Sequence, residues 1–166
     1  MLKRLISRIF KSKTSAEVKP PVDLNKPVEN PELVRAIDAF MTHQTEQTQR
    51  NLEIELRKAT YLLPFLADNE FHASEPDSEG QAVIEKDSLM KILLTSDAQD
   101  NPLLPLFTDW GQIGAWTKEA VNTLVLPAKD AWAFALNGQY AGVVINPGGH
   151  ALPLSKEALV ELSQAA

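Results

Sequence analysis

The three histidines are the side chains best suited to metal binding or to acid–base chemistry, and they lie far apart at His43, His72 and His150. None shows the i, i+4 pairing or the short spacing of a zinc site, and cysteine, which could complete such a site, is absent. The lack of cysteine also excludes disulfides, a thiol nucleophile and iron–sulfur clusters. The sequence therefore predicts that the protein binds no metal and needs no cofactor to fold.

Motifs for nucleophilic catalysis and for phosphate binding are not found either. No G-x-S-x-G elbow presents a serine, and the acidic residues cluster where solvated charge explains them. The glycines at Gly138, Gly142, Gly148 and Gly149 match neither G-x-x-x-x-G-K-[ST] nor G-x-G-x-x-G. These patterns favour a protein without enzymatic activity, and they leave open a small enzyme whose site has no recognised motif.

A predicted turn at residues 146–149 follows the apolar run from Gly142 to Ile145. Pro147 suits position i+1 of a type II turn, and Gly148 can take the positive φ that position i+2 of such a turn requires. A structural role explains these residues. A binding role remains the alternative, because loops at strand ends commonly carry function.

A second marker is the run from Leu104 to Trp110, which predicts a strand that passes into a helix. Asp109 is a suitable helix cap. Core packing explains Trp110 directly after it, as it explains Trp116 and Trp132, and a half-exposed position near the 146–150 turn is the alternative for Trp110. An exposed tryptophan is a natural anchor for a protein partner. The predicted interaction surface comprises Asp109, Trp110, Asn146, Pro147, Gly148 and His150.

The elements that would position these residues begin with a pair of helices. Asn30 is a predicted N-cap followed by Pro31, and apolar residues then recur at helical spacing. A second helix is predicted from Thr45 to about Lys58. The run 61–66 predicts a strand that Pro64 moves toward the edge of a sheet.

Strand and helix patterns alternate through the rest of the chain. After a polar, acidic loop over 68–80, strands are predicted at 89–95, 104–107, 123–126 and 141–146, with helices from 109 toward 116, over 129–136 and over 155–163. The alternation from residue 104 onward indicates a crossover within a mixed sheet. The predicted fold class is α+β: a single domain with a mixed β-sheet, an N-terminal helix pair and flanking helices.

Charge is distributed unevenly along the chain. Residues 1–19 hold six basic residues against Glu17, a net charge of +5, so the remaining residues carry −11 of the total of −6. A domain with this much negative charge repels the phosphate backbone of nucleic acids, so nucleic-acid binding is not expected. It favours a basic protein partner or simply solubility.

The first 29 residues form a predicted segment of their own. Apolar residues within 2–11 fall on one side of a short basic amphipathic helix, and Pro20, Pro21 and Pro27 indicate an extended tether. We place the domain boundary near Asn30. A solvated tail and a segment that docks on a partner or peripherally on an anionic membrane are both open. No apolar run is long enough to span a membrane and no secretory signal is recognisable, so the expected location is the cytoplasm.

Three runs together resemble the SseB family (enhanced serine sensitivity protein B) of small bacterial domains. They are Tyr61-Leu62-Leu63-Pro64 after the helix pair, the Leu104-to-Asp109 junction, and Val143-Val144-Ile145-Asn146-Pro147. The resemblance covers approximately 30–162 and implies an SseB-like α+β domain over 30–166. It carries over no agreed catalytic or cofactor residues.

Two functions follow as hypotheses. The first is a non-enzymatic interaction or regulatory domain with a protein partner, in a sharper version an inhibitor that neutralises a toxin, as an immunity protein does. The second is a small hydrolase-like enzyme with a site around Asp109, Trp110, Asn146 and His150. A deep cleft that joins these four residues would favour the enzyme, and a flat acidic face would favour the interaction domain.

Overall fold

The computed structural model describes residues 27–67 and 90–164, in which five helices and seven strands are formed. The helices are α1 (Pro31–Thr42), α2 (Glu46–Lys58), α3 (Trp110–Trp116), α4 (Ala128–Asn137) and α5 (Lys156–Gln164). The strands are β1 (Thr60–Ala67), β2 (Met90–Ile92), β3 (Thr95–Ser96), β4 (Pro102–Leu106), β5 (Asn122–Pro127), β6 (Gly142–Ile145) and β7 (Leu152–Ser155). The segment before residue 27, the acidic loop over 68–80 and His72 lie outside the described residues.

The N-terminal helix pair forms where capping and apolar spacing predict it. Thr45 caps α2 through a reciprocal capping box, in which its side chain accepts from the Thr48 N–H and its own N–H donates to the Thr48 hydroxyl. Helical spacing places Leu52 and Leu56 on the buried side of α2. The corresponding buried residues of α1 are Leu33, Ala36 and Ile37. The predicted helix pair is therefore confirmed.

The strands form two sheets with the orders β2-β1-β5 and β3-β4-β6-β7. The first is antiparallel, whereas the second is mixed because β4 and β6 run parallel. A parallel pair needs a long crossover, and the chain makes it through α3, β5 and α4. A bridge between Leu62 and Phe107, with both N–H···O bonds formed, joins the two sheets. The predicted α+β class with a mixed sheet and a crossover is confirmed.

The prediction that Pro64 moves β1 to a sheet edge is wrong, because β1 lies between β2 and β5. In an antiparallel strand, residues two apart direct their backbone groups to the same side. Leu62 directs its N–H and C=O toward Phe107, so position 64 also faces away from β5. The missing N–H of Pro64 therefore removes no bond to β5, and its carbonyl accepts from the Leu93 N–H at 3.4 Å.

Two further boundaries differ from the sequence prediction. The strand predicted over 89–95 is divided at Leu93 and Leu94, because β2 pairs with β1 in one sheet and β3 pairs with β4 in the other. The last helix begins at Lys156 rather than at Ser155. Ser155 is instead the last residue of β7, a strand that the sequence did not predict. The sequence did not indicate this strand because it contains Pro153, and proline is uncommon within strands. Pro153 is tolerated because β7 is the outer strand of its sheet within the described residues.

The main core lies between the helices and the two sheets. Trp132 of α4 packs on Tyr61 of β1 with ring centroids 5.1 Å apart, and both side chains are buried. The Tyr61 hydroxyl donates to the Leu56 carbonyl at 2.9 Å, and burial raises the pKa of Tyr61 well above its usual value. Core packing was the predicted role of Trp132.

A second, smaller core supports the surface described below. It consists of Leu62, Phe107 and Ile113, with Val28 and Trp116 packed against it. The Phe107 and Trp116 rings lie 5.3 Å apart. This cluster fixes α3 and the start of the described chain against the junction of the two sheets. Among residues 27–67 and 90–164, no helix has the length and apolar content needed to cross a membrane.

Candidate interaction surface

The start of α3 is held by Asp109, as the sequence predicts. One carboxylate oxygen of Asp109 accepts from the Gln112 N–H at 3.0 Å, which is the N-cap bond. The other oxygen accepts from the Thr108 hydroxyl at 2.9 Å. Both oxygens of this carboxylate are therefore used to fix the strand–helix junction, and Trp110 takes its position from that junction.

Asn146 connects this junction to the end of β6. Its carbonyl oxygen accepts from the Thr108 N–H at 3.1 Å, and its amide donates to the Thr108 hydroxyl at 2.9 Å. Asn146 is 4% exposed and has a φ of 51°, a left-handed conformation that asparagine tolerates better than most residues. Because β4 and β6 are parallel, their carboxyl ends lie at the same edge, and this pair of side chains joins them.

Asn30 is not the conventional cap that the sequence predicts, because its side chain makes no cap bond to α1. Its amide donates to the carbonyls of Thr60 at 2.8 Å and Thr108 at 2.7 Å. Its side-chain oxygen accepts from the Thr60 N–H at 3.2 Å. Asn30 thus fixes the start of α1 to β1 and to the β4–α3 junction.

The turn at 146–149 forms, closed by the Gly149 N–H donating to the Asn146 carbonyl at 3.0 Å. The prediction that Gly148 takes a positive φ is wrong, because its φ lies outside the left-handed region and the turn is not type II. Close packing explains this glycine instead. A Cβ at position 148 would lie 2.9 Å from the Trp116 Cα, a backbone atom that cannot easily move.

His150 lies after the turn and pairs with Asp38 of α1. Its Nδ1 lies 2.6 Å from the Asp38 Oδ1, and both side chains are mostly exposed. The pair stands beside a cavity of about 280 Å³, the His150 groove, which is lined by Val34, Ile37, Asp38, Gln112, Asn146, Gly149 and His150. No local sequence pattern points to Asp38 as the partner, because it lies 112 residues from His150.

A larger, mostly apolar cavity of about 590 Å³ lies on the other side of Val34. This Trp110 groove is lined by Pro27, Val28, Glu29, Asn30, Pro31, Val34, Arg35, Asp109, Trp110 and Gly111. Trp110 is 49% exposed, so core packing is the wrong explanation for this tryptophan and the half-exposed alternative is the right one. It lines this groove with the start of α1, whereas the 146–149 turn packs against Gln112 and Trp116.

The surface around the two grooves is acidic. Glu29 and Asp109 line the Trp110 groove, and Asp38 lines the His150 groove. Arg35 is the basic residue in the Trp110 groove lining, and its guanidinium pairs with Glu32. Within residues 27–67 and 90–164, no three His, Cys, Asp or Glu side chains converge as a metal site would require.

The six residues of the predicted interaction surface are thus only partly united. Thr108 links Asp109 to Asn146, and Pro147 and Gly148 follow in the turn, while Trp110 and His150 line different grooves that adjoin at Val34. Sequence reasoning missed Thr108, Gln112 and Trp116 as the residues that join the turn to α3. The sequence offered one indication of this role, namely that Thr108 directly precedes the predicted helix cap Asp109.

Comparison with known proteins identified one matching family. The family model described as the SseB protein N-terminal domain matches residues 33–161, most of the chain and all of the elements from α2 to β7. Comparisons with curated proteins and with solved structures gave no match.

Proposed function

The chain belongs to the SseB protein N-terminal domain family, and from this premise we propose that it is a protein-interaction domain whose partner binds in the Trp110 groove. The observation that carries the proposal is the half-exposed Trp110 side chain in a mostly apolar groove. Tryptophan is the residue most often found as an energetic anchor of protein interfaces, because it buries a large apolar area with one polar group.

The supports of Trp110 favour a preformed binding surface. Asp109 uses both carboxylate oxygens to fix the start of α3, and Asn30 joins that junction to α1 on the opposite side of the groove. A groove with fixed walls loses little conformational entropy when a partner binds, so more of the contact energy is expressed as affinity.

Charge defines the kind of partner proposed. Glu29 and Asp109 in the groove, with a net charge of −11 outside residues 1–19, favour a partner with a basic surface. An inhibitor that neutralises a toxin is one specific form of this function, in which the groove would receive a basic segment of the toxin. The proposed compartment is the bacterial cytoplasm.

The hydrolase-like alternative receives less support from the geometry. Both oxygens of Asp109 and both polar atoms of the Asn146 amide are used in hydrogen bonds to the Thr108 hydroxyl and to the Thr108 and Gln112 N–H groups. Trp110 and His150 line separate grooves. A site that needs these four groups to converge on one substrate is therefore not favoured.

Site-specific photo-crosslinking in the source cell tests the proposal. A photoreactive phenylalanine analogue replaces Trp110 in one full-length variant and Ile54 in the other. Ile54 is a matched control because it is 46% exposed and lies on α2 outside both grooves. We expect a discrete crosslinked protein from position 110 in the cytoplasmic fraction and none from position 54. The same products from both positions, or none from position 110, would contradict the proposal.

A further inference from the structure

We propose that the Trp110 groove is an intramolecular docking site for the chain's own basic amphipathic segment, residues 2–11. The segment then competes with the partner and holds the domain in an autoinhibited state. The competition rests on the proposed function, whereas occupancy of the groove does not require any partner and is tested without one.

The point at which the described structure begins supports this docking site. Pro27 and Val28, the first two described residues, both line the groove. Val28 also packs against the Leu62–Phe107–Ile113 cluster, which fixes this point of entry. The described part of the chain therefore begins in the groove itself, and not at a distant surface.

The segment and the groove are chemically complementary. The segment carries Leu2, Leu5, Ile6, Ile9 and Phe10 at helical spacing, with its basic residues on the opposite side. The groove offers apolar walls at Val28, Val34 and Trp110, and carboxylates at Glu29 and Asp109. An amphipathic helix that lays its apolar face in such a groove is a common mode of recognition, and the net charge of +5 on residues 1–19 suits the acidic rim.

The segment is also close enough to reach the groove. Residues 12–26 separate it from Pro27, a tether of 15 residues. Fifteen residues span about 19–23 Å as a random coil, and more in the extended form that the prolines favour, so the segment can reach the whole groove. Tethering over this distance gives an effective concentration on the order of 1 mM, so an intrinsic Kd of roughly 0.1 mM would leave about ten occupied grooves for each empty one.

Spin labelling of the full chain measures this occupancy directly. Because the chain has no cysteine, Ser7→Cys introduces a single attachment site for a nitroxide, on the polar side of the segment. In the NMR spectrum of isotopically labelled protein, we expect selective broadening of the Trp110 indole N–H and of the Val34 and Gly111 amides. The Ile54 amide is the internal reference, and reduction of the nitroxide should restore all signals.

Two companion measurements separate the proposal from its competitors. Adding Leu5→Asp and Ile9→Asp to the labelled chain should abolish the broadening, and unchanged shifts in the remaining signals would show that the domain is still folded. Salt at about 1 M, where screening acts within roughly 3 Å, should weaken the broadening.

The outcomes are distinct. Equal signal loss at Trp110 and Ile54 would mean a solvated tail and would overturn the proposal. A mixing experiment tests for binding between two copies. One chain carries the nitroxide without isotopes, and the other carries isotopes without the nitroxide. If the isotope-labelled chain still shows the broadening, the groove binds a second copy, and the proposal is overturned. Failure of the proposed function, in contrast, would leave this broadening unchanged.

Discussion

At the scale of single residues, the surface depends on side chains that hold backbone rather than on side chains that react. Asn146 accepts a left-handed φ of 51° and uses its amide group to join β6 to Thr108. Gly148 is required because the turn lies against the backbone of Trp116. The sequence identified both residues, but the reason it gave for Gly148 was conformational, and the actual reason is steric.

Gly148→Ala tests this steric account. A Cβ 2.9 Å from the Trp116 Cα forces the turn away from α3, and overpacking of this kind costs about 1–3 kcal/mol. Gly114→Ala is the matched control, since a Cβ there meets nothing within 4 Å and alanine favours helix by up to about 1 kcal/mol. Urea denaturation should show a lower free energy of unfolding for the first variant and an equal or higher one for the second. A neutral Gly148→Ala would contradict the packing explanation.

At the scale of elements, α1 is fixed by its first residues rather than by a conventional cap. Asn30 lies 30 residues from Thr60 and 78 residues from Thr108, and it binds both. Three elements therefore share one asparagine. This arrangement sets the width of the Trp110 groove, because the groove lies between the start of α1 and the start of α3.

Asn30→Ser distinguishes the two roles of this asparagine. Serine caps helices about as well as asparagine, so a capping role would make the variant nearly neutral. Serine lacks an amide that could donate to both carbonyls, and leaving buried groups without partners costs about 1–3 kcal/mol. We expect a loss of that size in urea unfolding, while Thr45→Ser at the capping box of α2 should change stability by no more than about 0.5 kcal/mol. Equal effects at the two positions would show that Asn30 acts only as a cap.

Local signals predicted the elements well, and long-range contacts account for the errors. Pro31, Thr45 and Asp109 each mark a helix start that the structure has, because caps and first-turn prolines act within a few residues. The position of β1 was mispredicted from Pro64, because whether an inner strand can accept a proline there depends on which side of β1 faces Phe107. The Asp38–His150 pair, 112 residues apart, leaves no local pattern. The sequence therefore named six candidate residues, but it could not show that Trp110 and His150 line two different, adjoining grooves.

At the scale of the whole molecule, the described domain has a buried phenol in its core and a net charge of opposite sign to the segment that precedes it. The Tyr61 hydroxyl is buried and donates to Leu56. Residues 1–19 carry +5 and the remainder carries −11. The first property predicts a loss of stability at high pH, and the second is the charge complementarity on which the proposed docking of the basic segment rests.

Alkaline unfolding should reveal Tyr61. Burial raises the pKa of Tyr61, so above pH 10 the unfolded chain loses a proton that the folded chain keeps. The unfolded state then binds fewer protons, and stability falls as pH rises, by up to about 1.4 kcal/mol per pH unit, while below pH 10 this contribution is constant. Tyr61→Phe should reduce the slope measured by urea unfolding between pH 9 and 11. Burial also raises the pKa of Tyr140, which leaves a smaller residual slope. An unchanged slope in Tyr61→Phe would contradict the assignment.

Membrane docking of residues 2–11 stays a prediction. In the docking proposal above, the Trp110 groove competes with the membrane for this segment. Each basic residue near anionic headgroups contributes roughly 1 kcal/mol, so the full chain should co-sediment with anionic vesicles at low salt and not with neutral ones. Leu5→Asp with Ile9→Asp removes the apolar arc and should abolish co-sedimentation. If the unaltered chain remains in the supernatant with anionic vesicles, only a tail or a groove-binding segment survives.

The most direct test of the central claim is the affinity of the partner crosslinked at position 110, measured by titration calorimetry against unaltered protein, Trp110→Ala and Ile54→Ala. If the Trp110 groove is the binding surface, Trp110→Ala should weaken binding by about 10- to 100-fold, equivalent to about 1.4–2.8 kcal/mol, while Ile54→Ala stays within about twofold. Both side chains are half exposed, so neither change should unfold the domain. Equal affinities for the unaltered protein and Trp110→Ala would contradict the claim.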